Sequence, residues 1–347
     1  MPIPSGAVGI KALDRAGLEA LLTEMGQPRF RALQIERWLY ARSARSFSEM
    51  TDLPASLRES LAGRLALPFP HIVQRQESSD GTRKYLLELA DGVTVEAVGL
   101  PSGSRLTVCF STQAGCAIGC AFCATGAAGL ARDLGPGEMV DQVHLIAGDF
   151  GRRVTNAVAM GQGEPFANYD ATLGALRFLN AAEDLGIGAR HITVSTCGLV
   201  AGINRFAHEP EQFTLAVSLH SAVQATRDRL MPGMRGVPLQ NLRTTLIGYA
   251  DSTGRRPSLE YALIDGVNDT EAELAALVAF SRGLLVHVNL IPVNPIAESG
   301  FGRSSTDRVR AFTSGLGAAG VEVSLRAERG ADIDAACGQL RQQAAER

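Results

Sequence analysis

Lysine is almost absent from this chain of 347 residues: of its 33 lysines and arginines, only Lys11 and Lys84 are lysines. Arginine carries the rest of the positive charge, and its planar fork suits bidentate contact with phosphate, although a genome-wide composition bias produces the same pattern. Net charge is also small, −3 at neutral pH, which excludes a polybasic nucleic-acid coat but leaves room for a local basic patch. No uninterrupted apolar run reaches the ~18 residues of a membrane helix. The most apolar stretch, 274–293, is broken by Ser281, Arg282, His287 and Asn289. The first residues, MPIPSGAVGIKAL, lack a basic segment followed by an apolar core, so no secretory signal is read and a cytoplasmic location is expected. The six cysteines are too few and too clustered for a disulfide framework, and a 46% hydrophobic composition supplies a core that needs no such staples.

What is present divides along the chain. Residues 1–66 read as a helical accessory domain: Leu13, Leu18, Leu21 and Leu22 recur at helical spacing, and Ala32, Ile35, Trp38 and Leu39 share one face of a second helix. This region holds nine basic and seven acidic residues, a small excess compatible with RNA contact. Residues 67–104 contain three short strand-like runs, HIVQRQ, RKYLLEL and VTVEAVGL, separated by Asp-Gly turns, and read as an antiparallel connector. From 105 to 328 strands alternate with helices. The strands are LTVCF, AVAM, HITVS, TLAVSLH, LEYAL and HVNLIPV. Such alternation predicts an α/β fold with a parallel sheet, here a partial (β/α)6 barrel whose working loops follow the strands' C-terminal ends. Residues 329–347 form a C-terminal segment with a polar tail.

Three cysteines fall in one loop directly after a strand, in GCAIGCAFC, as Cys116-x3-Cys120-x2-Cys123. Three thiolates leave one iron of a four-iron cluster without a cysteine, open to a substrate, whereas electron-transfer clusters use four cysteines and zinc sites usually pair two knuckles. A site-differentiated [4Fe-4S] cluster is therefore expected. Inert buried thiols are the alternative.

This loop resembles that of the radical S-adenosylmethionine superfamily. In order along the chain, CFSTQAGCAIGCAFCATG, GQGEPFAN, STCG, SLHS, LEYALIDGVND, NLIPVNP and RGADIDAACGQL resemble the RlmN/Cfr family of adenosine methyltransferases. The resemblance implies two cofactors, the [4Fe-4S] cluster on Cys116, Cys120 and Cys123 and S-adenosyl-L-methionine across the strand tops. It implies ligand contacts at Gly163, Glu164, Ser195, Ser218, Leu219, His220 and Asn294. Cys337 would carry a methyl group taken from one S-adenosylmethionine. A radical from a second one would activate that methyl for addition to adenine. Glu96 would then accept the proton from the attacked carbon. Cys109 would release the product through a transient disulfide with Cys337. Arg326 and Arg329 lie near Cys337 in sequence and are candidates to favour its thiolate. Cys197 reads as packing.

The implied partners are 23S rRNA, with tRNA as a further substrate, and an electron donor such as flavodoxin, acting on a monomer. Arg29, Arg31, Arg37 and the basic run from Arg227 to Arg235 are candidate phosphate contacts. Trp38 reads as core rather than as a stacking platform. GEP rather than GEA at 163–165 favours attack at adenine C2 over C8. Gln162 and the stretch Gly233–Gly236 depart from the family pattern and bear on substrate identity. A noncatalytic metal-containing RNA-binding protein is the reading from another class, and the two extra cysteines weigh against it.

Overall fold

A computed structural model describes residues 8–127, 129–182, 185–293 and 300–326, together with Ile333. The chain opens with a short strand, β1 (Val8–Gly9), which pairs in parallel with β2 (Leu65–Ala66) and closes the N-terminal unit on itself. Between them lie α1 (Arg15–Glu24), α2 (Arg31–Glu36) and α3 (Ala55–Arg64). Asp14 caps α1 by accepting the Gly17 N–H at 2.7 Å, satisfying one of the first-turn donors. Leu18, Leu22, Ala32, Ile35, Leu39, Leu57 and Leu61 are buried, as the helical spacing predicts. Trp38 packs at the margin of this core, donates its indole N–H to Asp52 and is covered by the Arg42 guanidinium 4.2 Å from its ring. That face is not open to a base.

The four strands β3 (His71–Glu77), β4 (Arg83–Glu88), β5 (Thr94–Ser102) and β6 (Arg105–Cys109) form an antiparallel meander. From β6 onward the pairing is parallel, through β9 (Asn156–Ala159), β10 (Ile192–Thr196), β11 (Thr214–Ser218), β12 (Ser258–Leu263), β13 (His287–Pro292) and β14 (Glu322–Leu325). All ten belong to one sheet, ordered β14-β13-β12-β11-β10-β9-β6-β5-β4-β3. The sheet extends beyond the sequence reading at both ends. The connector is continuous with the barrel sheet, and β14 adds a strand beyond the six expected; with half-exposed residues and only four positions, it has no apolar signature.

A separate hairpin, β7 (Gln113–Gly115) and β8 (Leu130–Asp133), brackets the cysteine loop and the short α4 (Ala124–Ala127). The barrel helices are α5 (Pro136–Phe150), α6 (Tyr169–Asn180), α7 (Val200–Phe206), α8 (Gln224–Leu230), α9 (Leu239–Thr253), α10 (Glu271–Ser281) and α11 (Thr306–Ala318). No helix among the described residues is long and apolar enough to cross a membrane.

Residues paired across neighbouring strands share a face of the sheet. Val108, Ala157, Val194, Leu215, Leu259, Val288 and Leu290 lie on the face covered by helices and are buried. Thr107, Asn156, Thr193, Ser195, Ser218, Ser258, Glu260 and Asn289 lie on the other. The core therefore sits between sheet and helices, and the concave face is polar. An eight-stranded barrel ordinarily fills its interior with branched apolar side chains; this one lines it with hydrogen-bonding groups, as a ligand would require.

The N-terminal unit is joined to α5 by a buried ion pair. Lys11 Nζ meets Asp141 Oδ1 at 2.5 Å, with both side chains almost wholly enclosed. Removing one partner of such a pair strands the other charge. Lys11→Met should lower the unfolding free energy by about 3–5 kcal/mol, read as a fall in the urea midpoint. Lys11→Met with Asp141→Leu should recover most of it. Burial, opposed by Lys11, pushes the Asp141 carboxyl from 3.8 up to about 6. Its stabilising contribution is therefore complete in acid below the unfolded value and is lost as pH rises through about 6. The deficit of Lys11→Met should widen as pH rises above about 6, where Asp141 ionises beside Lys11 but stays protonated in the variant.

Candidate active site

The cysteine loop leaves the C-terminal end of β6 and is held by backbone contacts on three sides. Cys116 N–H donates to the Gly129 carbonyl at 2.9 Å, Ala121 N–H to Leu230 at 2.9 Å and Gly233 N–H to Ile118 at 2.9 Å. A Cβ on Gly233 would lie 2.7 Å from the Ile118 carbonyl oxygen, so only glycine permits this approach. The departure from the family pattern at Gly233 thus seats the cysteine loop. Ile118, Leu230, Met231 and Met234 form an apolar wall, with Cys116, Cys120, Phe122 and Cys197 packed against it.

Burial in this wall pushes the Cys116 thiol up to about 11 and raises Cys123. Cys120 is lowered, first by a hydrogen bond from Cys197 and, opposing burial, by the nearby Arg227 charge; the same bond and burial raise Cys197. Thiols enclosed by apolar side chains become stable thiolates when a cationic metal centre compensates them. Among the described residues no three Cys, His, Asp or Glu side chains converge as ligands of a single ion would. A four-iron cluster distributes its thiolates over separate irons. Three thiols on one loop are a donor set that fits such a cluster, with Cys116, Cys120 and Cys123 as the residues that would hold it.

Next to this loop, a cleft of about 180 Å³ crosses the strand ends, lined in part by Gly163, Glu164, Ser195, Ser218 and His220. Gly163 has φ +105°, and a Cβ there would lie 2.7 Å from the Gln113 nitrogen. The Glu164 carboxylate accepts the N–H of Phe166 at 3.0 Å and of Cys197 at 2.6 Å, clamping the GQGEP turn to the end of β10. Burial raises its pKa. The Thr196 and Cys197 side chains also hydrogen-bond to it, so the carboxylate is fixed from several sides where it borders the cleft.

His220 adopts a left-handed conformation, φ 54°, uncommon for a side chain with a Cβ. Its Nδ1 accepts the Ala262 N–H at 3.0 Å, which leaves the Nε2 hydrogen as a donor. Burial lowers its pKa to about 3, so the ring is neutral at physiological pH. Phe122 of the cysteine loop packs edge-on against it at 4.7 Å. His220 is both a satisfied strand-end residue and a wall of the cleft.

Leu219 is different: its side chain is in the core, its N–H donates to Glu260 and its carbonyl accepts from Arg227. It does not line the cleft. Asn294, Cys337 and Arg329 lie outside the described residues; Arg326 reaches the cleft.

Glu96 and Cys109 stand on neighbouring strands. Val98 pairs with Cys109, and Glu96 follows on the same face of β5 two residues away. The Ser111 hydroxyl donates to the Glu96 carbonyl at 2.6 Å, which places Glu96 level with the start of the cysteine loop. Glu96 is 3% exposed, with Lys84 Nζ 3.4 Å from Oε1.

Three site residues were missed or misread in sequence. Glu260 lines the cleft, held by Ser258 and by Asn289, each at 2.7 Å. A charge on the otherwise apolar strand LEYAL is the sequence signal that marks it. Arg227 is not a surface phosphate contact: it is 1% exposed and donates to the carbonyls of Ser218, Leu219 and Cys197 from beneath the cleft. Cys197 packs against the same apolar wall, and its thiol also abuts Cys120, a contact the sequence does not show. Gln162 is buried beneath the GQGEP turn, so its difference from the family pattern is internal.

Radical S-adenosylmethionine chemistry is the class that this open barrel and its cysteine loop define, and the model of that superfamily matches residues 110–278. A model described as the ribosomal RNA large subunit methyltransferase N-terminal domain matches residues 8–67. A probable dual-specificity RNA methyltransferase RlmN of Pelotomaculum thermopropionicum is 47% identical over 346 residues, covering 99% of this chain and 94% of its own. One from Thermosynechococcus vestitus is 47% identical over 327 residues, 94% of this chain and 96% of its own. The crystal structure of a radical SAM methyltransferase from Sphaerobacter thermophilus matches with a TM-score of 0.88 at 47% identity, over 96% of this chain and 98% of that one. The chain belongs to the RlmN family of radical S-adenosylmethionine RNA methyltransferases. Its cofactors are a [4Fe-4S] cluster and S-adenosylmethionine.

Anaerobic analysis of reconstituted protein should find about four iron and four sulfide per chain. Alanine at Cys116, Cys120 or Cys123 should remove most of both and the visible charge-transfer absorption. Cys197→Ala should retain them; loss of the cluster in that variant would make Cys197 a ligand.

Proposed function

We propose that this chain methylates C2 of one adenosine in 23S rRNA, and of an adenosine in tRNA, through a methyl group carried on Cys337. Two molecules of S-adenosylmethionine are used per product, flavodoxin is a suitable electron donor, and the chain acts as a monomer. The observation that carries this reading is the placement of Glu96 and Cys109 on one face of adjacent strands where the cysteine loop begins. Binding a metal needs neither residue, and a noncatalytic RNA-binding protein would have no use for them.

The chemistry requires both. An aromatic adenine carbon is a poor nucleophile, so simple displacement on the methyl donor does not suffice. Cys337 first takes a methyl group as a thiolate, a displacement that sulfur performs readily. When bound, the cluster and S-adenosylmethionine supply the one-electron chemistry that removes a hydrogen atom from that methyl and later takes an electron back. The carbon so activated bonds to C2, joining Cys337 to the RNA. Glu96 accepts the C2 proton. Cys109 then attacks the Cys337 sulfur; the bond from that sulfur to carbon breaks, its electron pair stays on carbon, and a proton completes the new methyl group. The disulfide left behind must be reduced before the next turnover.

The adenosine has to be unstacked to reach the cleft. The N-terminal unit offers Arg29 and Arg37 as exposed cations, with Phe30 60% exposed beside them.

Anaerobic reaction with a donor carrying a fully deuterated methyl tests the scheme. Mass spectrometry of rRNA and tRNA should find methyl at C2, with one deuteron replaced by a solvent proton. A methyl at C8, or one retaining every deuteron, would overturn it. Cys337→Ala should give no methylated RNA, and Cys109→Ala should accumulate protein covalently joined to RNA.

A further inference from the structure

Both lysines of this chain are buried in ion pairs with carboxylates. Lys11 ties two parts of the fold together. Lys84 has no such explanation. It lies in β4, paired across the sheet with Val98, which pairs in turn with Cys109. The three therefore form one row on the concave face, and Glu96 lies on the same face. Lys84 is 1% exposed and Glu96 3%. Enclosing two charges costs several kcal/mol per ion before their attraction repays it, and apolar replacements of buried pairs are often neutral or stabilising. Leu86, the residue paired with Glu96, shows that an apolar side chain fits this face. A chain that uses arginine for nearly every other cation places here the compact, three-donor ammonium instead of the planar fork.

We propose that Lys84 is a positioning residue for proton removal from the adenine: its ammonium orients the Glu96 carboxylate on the concave face that also carries Cys109. The inference rests on the reading of Glu96 as proton acceptor given above. In that step the C2–H bond breaks and the proton passes to Glu96. The bond's electron pair stays with the ring, and the odd electron left by carbon addition would go to a one-electron acceptor, the role that an oxidised cluster held by Cys116, Cys120 and Cys123 would supply. Lys84 neither gives nor receives a proton.

The experiment uses the full chain, reconstituted anaerobically, with RNA deuterated at C2 of the target adenosine. Methylation of Cys337 precedes proton removal, so its extent, read by peptide mass spectrometry, should stay within about twofold of the wild type in Lys84→Met. Turnover should fall roughly tenfold to a hundredfold, the usual effect of removing a residue that orients a reacting group. Protein–RNA adduct should accumulate and retain its deuteron, as in Glu96→Gln. Lys84→Arg, which keeps the charge but not the compact shape, should retain more turnover than Lys84→Gln, and this pair serves equally if Lys84→Met fails to fold. Wild-type turnover in Lys84→Met or Lys84→Gln would overturn the assignment, and so would an adduct that has lost its deuteron, since that places the defect at the thiol step. A Cys109→Ala control separates the two levels. Adduct in that variant but none in Lys84→Met sinks the role of Lys84 alone, while no adduct in Cys109→Ala sinks the methyl-cysteine scheme beneath it.

Discussion

The sheet is polar on its concave face, and the site depends on that inversion. Side chains alternate along a strand, so each barrel strand places most of its large apolar side chains on one side, with Val158, Ala216, Ala262 and Ile291 among the polar residues of the other. The large side chains went outward, under the helices, where Val108, Val194, Leu215 and Leu290 close the core. Serine, threonine, asparagine and glutamate were left facing inward. A packed apolar lumen would have been more stable and could not have bound a charged sulfonium ligand. Ser195, Ser218 and Glu260 are fixed in the cleft by the same register that holds the sheet together, and the turns carrying Gly163, Glu164 and His220 complete it at the strand ends.

Buried charge is the second organising feature. Arg227 lies beneath the cleft and gathers three carbonyls from the ends of β10 and β11, while its charge favours the thiolate of Cys120. Glu164 performs the complementary task from above, collecting N–H groups of the GQGEP turn and of Cys197. A cation and an anion, each satisfied mainly by backbone, thus lock the strand ends on either side of the site. His220 joins them to the cysteine loop through Phe122 and stays neutral because its surroundings will not accommodate a charge.

Much of this was legible in residue order. Period-two and period-3.6 patterns located the long barrel elements nearly to the residue, since those segments bury one continuous stripe. Short elements escaped. The seven residues of α7 and of α8 make barely two turns, and β14 is only four residues long. In the site, the cysteine spacing and the glycine–glutamate turn are local, so they announced themselves. Arg227 did not: a basic run looks like surface until its depth is known.

Chain order by itself determined the local chemistry. Three thiols in one loop stay within a few residues of one another, and a glutamate among strand residues must be accommodated. The tertiary structure decided which distant residues meet. Cys197 lies 77 positions after Cys120 and abuts it; Lys84 finds Glu96 across an antiparallel pair and Cys109 one strand further; Lys11 finds Asp141 between two parts of the fold. No spacing rule encodes these contacts. They follow from strand register and from the cost of leaving a buried charge alone, and both are settled only when the whole sheet has formed.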